Sequence, residues 1–123
     1  MRGEKMGELN GKFRGEEGFA IAKNSLARNK KLSLAAKGLY ILIGSFLPVN
    51  RPNVTKEFLM EQCQEKEKVF DLAWNELLKT GYLKIHVYPD TVVYELLYDA
   101  DIADGIYLYR YDQNRNIVGT NRD

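Results

Sequence analysis

The feature that most constrains the fold is an abrupt change of hydrophobic periodicity within NELLKTGYLKI, residues 75–85. Before this stretch, apolar residues repeat every three or four positions, which is typical of an amphipathic helix. After it, β-branched and aromatic residues dominate, which is typical of strands. Gly81 lies between the two patterns, and a glycine commonly occupies the left-handed position that ends a helix. The sequence therefore predicts a helix over residues 65–79 that leads directly into a sheet.

Two strands are predicted after this helix. The segments YLKIHVY and TVVYELLY are joined by Pro89 and Asp90, which suit the middle of a tight turn. Further on, GIYLYRY alternates tyrosine with other residues, and DQNRN separates it from IVG. This tail predicts an extra C-terminal strand or hairpin.

Helices are predicted before residue 65 as well. Ser33 is a candidate N-cap for a helix that Pro48 ends, and Thr55 is a candidate N-cap for a two-turn helix. Asn24 or Ser25 is expected to cap a single helical turn. The apolar face of the Ser33 helix is expected to consist of Leu34, Leu39, Ile41, Leu42 and Phe46, and that of the helix over 65–79 of Val69, Phe70, Ala73, Trp74, Leu77 and Leu78.

These elements divide the chain into three parts. Residues 1–17 hold four glycines and many charges without periodicity, so a flexible basic arm is expected. Residues 18–99 begin with a short strand over 18–23 and form the main domain, and residues 100–123 are the extension. Two short helices separated by a turn and followed by a hairpin give the winged helix-turn-helix order. The predicted class is α+β, with a three-helix core, a small antiparallel sheet and a wing.

Two motifs resemble a known family. LARNKKLSLAAKGLYILI is similar to the first helix of the winged-helix domains of plasmid and phage replication initiators, which include the DnaD-like replisome organisers. NELLKTGYLKI is similar to their junction between the third helix and the wing, a pattern that many winged-helix regulators share. The resemblance covers about residues 19–99, and it implies DNA binding with a role in replication initiation or transcription regulation.

Composition excludes several classes of protein. One cysteine in 123 residues permits no internal disulfide, and a cysteine-ligated metal site is not expected. The first residues are polar, so a signal peptide is not expected, and the longest apolar stretch is about half of what a bilayer span requires. No cofactor motif, catalytic constellation or metal cluster is visible. A cytoplasmic protein that is not an enzyme and does not enter a membrane is expected.

The charge is unevenly distributed although the net charge is only +1. Residues 1–31 carry eight basic and four acidic side chains, whereas residues 81–123 carry four basic and seven acidic ones. Such a dipolar chain can steer a polyanion towards one face. The same asymmetry also occurs in proteins that bind no charged partner.

The DNA-contacting candidates follow from the helical wheel and from the basic clusters. On the helix over 65–79, Lys68, Asp71, Leu72, Asn75 and Lys79 lie opposite the apolar side. Asn75 can bond to adenine in a major groove, and the lysines can contact phosphate or guanine. Further phosphate contacts are expected from Arg28, Lys30 and Lys31 before the first long helix, from Lys12 and Arg14 on the arm, and from Lys84 on the wing strand. The alternative for all of these residues is an ordinary solvated face.

Other conspicuous side chains have structural interpretations. His86 is expected to be an exposed strand residue, and Cys63 a small buried hydrophobe at the end of its helix. The tyrosines at 94, 98, 107, 109 and 111 are concentrated in the C-terminal strands. They favour either packing within the sheet or a homodimer interface, since tyrosine is enriched at interfaces. An interaction or oligomerisation module is therefore the alternative to a DNA-binding domain.

Overall fold

A computed structural model of the chain describes residues 7–8, 22–46, 55–102 and 105–122. Within these residues, four helices precede the main part of one sheet, so the chain has the predicted α+β class. The helices are α1 (Asn24–Ala27), α2 (Leu34–Phe46), α3 (Lys56–Glu61) and α4 (Glu67–Lys79). The strands are β1 (Gly7–Glu8), β2 (Leu83–Val87), β3 (Val92–Leu96), β4 (Leu108–Tyr111) and β5 (Ile117–Thr120).

Some predictions fall largely outside the described residues. Of the arm over 1–17, only β1 is described, and Lys12 and Arg14 are not. The strand predicted over 18–23 is described only at its last two residues, which belong to no strand.

Side-chain caps start two of the helices, as predicted. The Ser33 hydroxyl accepts a hydrogen bond from the Ala36 amide at 3.1 Å, and the Thr55 hydroxyl accepts one from the Phe58 amide at 3.0 Å. Each bond satisfies an amide that the first helical turn leaves without a partner. The cap predicted for α1 is wrong, because Lys23 occupies the N-cap position and its side chain forms no capping bond.

Gly81 ends α4, as its position in the sequence predicts. Its φ of 85° lies in the left-handed region, which is energetically unfavourable for any residue that has a Cβ atom. The Tyr82 amide bonds back to the Leu77 carbonyl at 3.0 Å. A Cβ at position 81 would lie 2.5 Å from the backbone of Asp101. Both the turn and the close approach of the chain after β3 therefore require glycine.

The sheet has the order β1-β3-β2-β4-β5. The predicted hairpin β2–β3 is confirmed, with Ile85 opposite Tyr94 and a two-residue turn at Pro89 and Asp90. The prediction of an antiparallel sheet is wrong, because β4 pairs in parallel with β2. The chain crosses back after β3, so β4 lies beside β2 and runs in the same direction. The tail forms the second predicted hairpin, β4–β5.

The core lies between α2, α4 and one face of the sheet. Its fully buried side chains include Tyr40, Leu26, Ile43, Leu59, Leu77, Leu83 and Leu96. The Tyr40 hydroxyl donates a hydrogen bond to the Leu97 carbonyl at 2.9 Å, and burial raises the pKa of Tyr40. Trp74 and Phe70 are in the core, as expected.

Three residues assigned to the core by the periodicity are exposed instead. Leu34 is 85% exposed, and Ile41 and Val69 are each 41% exposed. On α2 the buried stripe runs through Ala36, Tyr40 and Ile43, because a tyrosine can be buried when its hydroxyl finds a partner. The helix is therefore rotated relative to the face that leucine and isoleucine alone predict.

Candidate nucleic-acid interface

The outward face of α4 is held in place by its opposite, apolar face. Phe70, Ala73, Trp74, Leu77 and Leu78 are buried, which leaves the other side of the helix in solvent. Four residues on that side are exposed, and three of them are polar: Lys68, Leu72, Asn75 and Lys79. The orientation that the helical wheel predicts for these residues is confirmed.

A second basic segment lies close to the C-terminal half of α4. The carboxylate of Glu76 accepts a hydrogen bond from the Ser33 amide at 2.7 Å. This bond joins α4 to the start of α2 across 43 positions of sequence. Arg28, Lys30 and Lys31 are exposed on the turn just before Ser33, and Glu76 lies less than one helical turn before Lys79. Two basic segments that are distant in sequence therefore come together.

We call this surface the basic face, and its members are Arg28, Lys30, Lys31, Lys68, Asn75 and Lys79. No side chain of the basic face forms a hydrogen bond or ion pair with another described residue. Two acidic residues of α4 are engaged elsewhere: Glu76 bonds to Ser33, and Asp71 forms an ion pair with Lys56 at 3.1 Å. Asp71 is thus paired with a cation outside the basic face, whereas Glu76, bonded to a neutral amide, keeps its negative charge beside it.

Exposed acidic residues are concentrated at the other end of α4. Glu57 and Glu61 on α3 are exposed, and so are Glu65 and Glu67 at the start of α4. Lys66 and Lys68 are the exposed cations interspersed among them. The N-terminal end of α4 therefore carries mixed charge, with Lys68 among carboxylates. Its C-terminal end holds one anion, Glu76, and one cation, Lys79, and lies beside the three cations of the turn before α2. A polyanion would meet the least repulsion at the C-terminal half and the turn before α2.

Lys84 does not lie on this surface. It is only 6% exposed, and its ammonium donates to Asp101 at 2.9 Å and to the Tyr109 hydroxyl at 3.2 Å. Burial by itself lowers the pKa of Lys84, but the hydrogen bonds to these two partners raise it overall. A lysine that is buried and paired in this way has no donor directed towards a phosphate in solvent.

His86 is enclosed rather than exposed, so the prediction for it is wrong. Its side chain is 16% exposed. Nε2 lies 2.8 Å from a carboxylate oxygen of Glu95, and Nδ1 lies 2.7 Å from the Tyr111 hydroxyl. An ionised carboxylate can only accept, so an ionised Glu95 accepts its hydrogen bond from a protonated Nε2. The ring also stacks on Tyr109, with centroids 5.2 Å apart.

We call the interconnected group on this side of the sheet the sheet network. It comprises Lys84, His86, Glu95, Asp101, Tyr109 and Tyr111. These residues belong to three strands and the segment after β3. They join the β4–β5 hairpin to the rest of the sheet through side chains as well as through the backbone.

The C-terminal tyrosines pack within their own chain. Tyr94 contacts Trp74 edge to face at 5.2 Å, and Tyr111 stacks on Tyr88 at 4.5 Å. Every one of the five tyrosines is partly buried. Packing in the sheet, one of the two predicted roles, is thus confirmed, and the homodimer stays a prediction.

The two hairpin turns lie side by side. The Arg115 guanidinium stacks over the Tyr88 ring at 4.4 Å, and a shallow cavity of about 260 Å³ lies between the turns. Asp112 accepts bonds from the amides of Asn114 and Asn116 at 2.8 and 2.9 Å. The β2–β3 turn at Pro89 and Asp90 has no basic residue of its own. Arg115 of the neighbouring β4–β5 turn therefore supplies the cation at this point, next to Asp90 and Asp112.

An apolar groove of about 430 Å³ separates α2 from α4. Its lining includes Leu34, Gly38, Leu42, Val69 and Phe70. Cys63 also borders this groove and is half-buried. Its thiol lies 3.3 Å from the Leu59 carbonyl, and burial raises the pKa of the thiol, so the unreactive protonated form is favoured.

No family model, curated protein or solved structure matches this chain. Among the described residues, no group of three or more His, Cys, Asp or Glu side chains could hold a metal ion. None of the described helices is long and apolar enough to cross a membrane.

The sequence alone missed two contacts, one beside the basic face and one in the sheet network. Glu76 was indistinguishable from any other acidic residue of an exposed helix face, because its partner lies 43 positions away. The pairing of Lys84 depends on Asp101, which the sequence places in an irregular tail. Nothing in a linear pattern separates an exposed lysine on a strand from one that a crossing segment covers.

Proposed function

We propose that this chain binds duplex DNA through the basic face, in a winged-helix arrangement. One observation carries the proposal: the bond between Glu76 and Ser33 brings two basic segments together that are distant in sequence. Five of the six side chains on the basic face are cations. Neutralising phosphates with lysine and arginine supplies most of the affinity of proteins for DNA.

The order of elements supports a winged helix. α3 and α4 are separated by five residues and are followed by the hairpin β2–β3, which is the order of a helix-turn-helix with its wing. The position of α4, with one face in the core and the other in solvent, suits a helix that enters a major groove. Together with the resemblance to replication initiators, this favours a role in replication initiation, with transcription regulation as the alternative role.

The wing contributes less to this proposal than the helix. Lys84 is paired within the sheet network, and Asp90 lies at the exposed turn. A carboxylate near a phosphate opposes binding. We therefore assign the phosphate contacts to Lys79, Lys68 and the turn before α2, and the base contact to Asn75.

Charge reversal on the basic face tests the proposal. Lys31→Glu combined with Lys79→Glu should weaken binding of a random-sequence duplex at about 50 mM salt by at least tenfold, because two phosphate contacts become repulsive. Fluorescence anisotropy of a labelled duplex measures the affinity. Arg110→Glu combined with Arg122→Glu is the matched control, since it changes the net charge equally and both arginines are exposed away from the basic face, Arg110 on β4 and Arg122 just after β5. Equal affinities for the double variant and the control would refute the proposal.

A protein-docking role is the second candidate, and the groove between α2 and α4 favours it. Leu34 at the rim is 85% exposed, and the groove floor is apolar. Exposed apolar patches commonly mark interaction sites. Leu34→Glu should leave DNA binding in place but abolish any self-association seen by sedimentation velocity. A wild-type chain that stays monomeric at tens of micromolar would argue against self-association through this groove.

A further inference from the structure

One residue of the outward face of α4 does not fit a purely electrostatic role. Leu72 is 58% exposed, and it belongs neither to the core nor to the apolar residues packed against it. It lies among Lys68, Asn75 and Lys79, four residues after the first and three before the second, so it neighbours both on the helix surface. A polar residue would be the usual occupant of such a position.

Val69 extends this apolar character along the helix. It is 41% exposed and lies three residues before Leu72, so the two side chains are neighbours on the surface of α4. Val69 and Leu72 therefore form a short apolar strip on α4, beside the exposed polar residues of its outward face.

A helix in a major groove presents such a side chain to base edges. The edges are hydrogen-bond donors and acceptors, except for the C5-methyl group of thymine, which is the apolar group among them. Burying one methyl group against a leucine favours binding by about fourfold. The cations that flank Leu72 would hold the helix on the phosphates while the leucine meets this methyl group.

Asn75 adds a second, geometrically compatible contact. Three residues along a helix rise about 4.5 Å, which is close to the spacing of about 3.4 Å between base pairs. Leu72 and Asn75 would therefore meet adjacent base pairs. The side-chain amide of asparagine pairs with the N6 and N7 edge of adenine, so both contacts select A·T pairs.

We infer that Leu72 is a specificity-determining residue that contacts the C5-methyl group of thymine, so that the chain prefers duplexes containing A·T steps. This inference rests on the proposed DNA binding. It adds a substrate preference that charge alone does not give, because phosphates are the same for every sequence.

Removing the methyl group from the DNA tests the inference directly. The full chain is titrated by anisotropy with hairpin duplexes of alternating d(A-T) and of alternating d(A-U), which differ only by the C5-methyl groups. The wild type should bind the d(A-T) duplex about fourfold or more tightly. Leu72→Ala should bind both duplexes equally, with an affinity close to that of the wild type for d(A-U).

Two further arms separate a methyl contact from other effects. Alternating d(G-C) with 5-methylcytosine restores a methyl group to the major groove, and it should strengthen binding by the wild type but not by Leu72→Ala. Lys31→Glu should weaken binding to all of the duplexes and leave the ratio between d(A-T) and d(A-U) unchanged. Since Leu72 has no packing role, an unchanged thermal midpoint for Leu72→Ala checks that the variant is folded.

The outcomes distinguish the two proposals. A wild-type chain that binds d(A-T) and d(A-U) equally, or a Leu72→Ala variant that keeps the wild-type ratio, overturns the role of Leu72 and leaves DNA binding intact. Absence of binding to every duplex at about 50 mM salt, where phosphate contacts are strong, overturns the proposed function and this inference with it.

Discussion

The outward face of α4 and the outer side of the sheet carry similar side chains but use them differently. On α4, Lys68 and Lys79 are exposed and form no ion pair with a described residue. On the sheet, Lys84 is 6% exposed and bonded to Asp101, and Glu95 is 3% exposed and bonded to His86. The comparison shows that polar residues in a regular pattern can either stabilise the fold or remain available to a ligand. The partners that the rest of the chain brings to them decide which role they have.

This difference has an energetic consequence. Removing one hydrogen-bond partner of a buried polar group costs about 1–3 kcal/mol. Removing an exposed, unpaired charge usually changes stability by about 0.5 kcal/mol or less. Variants of the sheet network should therefore affect folding, and variants of the basic face should affect binding.

The largest effect is expected from His86→Ala. The substitution removes one hydrogen-bond partner of the buried Glu95 carboxylate and the ring that stacks on Tyr109. We expect the free energy of unfolding to fall by about 2–3 kcal/mol, because a hydrogen bond to a buried group and a ring contact are both lost. Urea unfolding followed by the fluorescence of Trp74, the single tryptophan, measures this change. A loss below about 0.5 kcal/mol would mean that the sheet network is only a surface feature.

Alkaline pH should destabilise the protein through the buried Tyr40. Its pKa is raised in the folded state, whereas the unfolded value is about 10. Above pH 10 the unfolded chain loses this proton while the folded chain keeps it, so the free energy of unfolding falls as pH rises. Tyr40→Phe should make this decline shallower by up to about 1.4 kcal/mol per pH unit. Leu72→Ala is the control, because it removes an exposed side chain without a titratable group, and it should leave the steepness of the pH profile unchanged.

Lys84→Met should lower the free energy of unfolding by less than His86→Ala does, because the Asp101 carboxylate that Lys84 contacts is accessible to water. The Asp101 side chain is 52% exposed and can be hydrated. We expect a loss of about 1 kcal/mol in chemical denaturation. Affinity for duplex DNA should change by less than about twofold, because Lys84 has no part in phosphate contact. A large loss of DNA affinity in a folded Lys84→Met variant would place the binding surface on the sheet instead.

The smallest effect on stability is expected from Lys68→Ala. Lys68 is exposed at the start of α4, and alanine preserves helix propensity. The free energy of unfolding should change by about 0.5 kcal/mol or less, while the slope of DNA affinity against salt should fall by about one. Loss of stability without any change in this slope would contradict the assignment of Lys68 to the basic face.

Local patterns predicted the helices, the caps at Ser33 and Thr55, and the stop at Gly81, because these features depend on residues close in sequence. The sequence did not predict the parallel placement of β4 beside β2. That placement depends on how the chain crosses back after β3, and no short-range signal encodes the crossing.

The candidate site was predictable in part for the same reason. The helical period fixed which side of α4 faces solvent, so Asn75 and Lys79 were placed correctly. The burial of Lys84 and His86 depends on Asp101, Tyr109 and Tyr111, which approach from later segments. Alternation along a strand shows that two residues share a face, but it does not show what covers that face.

The most direct test of the central claim is the salt dependence of binding to a random-sequence duplex. If most of the five cations on the basic face contact phosphates, the logarithm of the association constant should fall against the logarithm of salt concentration with a slope of about −4. Lys31→Gln should reduce the magnitude of that slope by about one. A slope near zero, or one that Lys31→Gln does not change, would contradict the account.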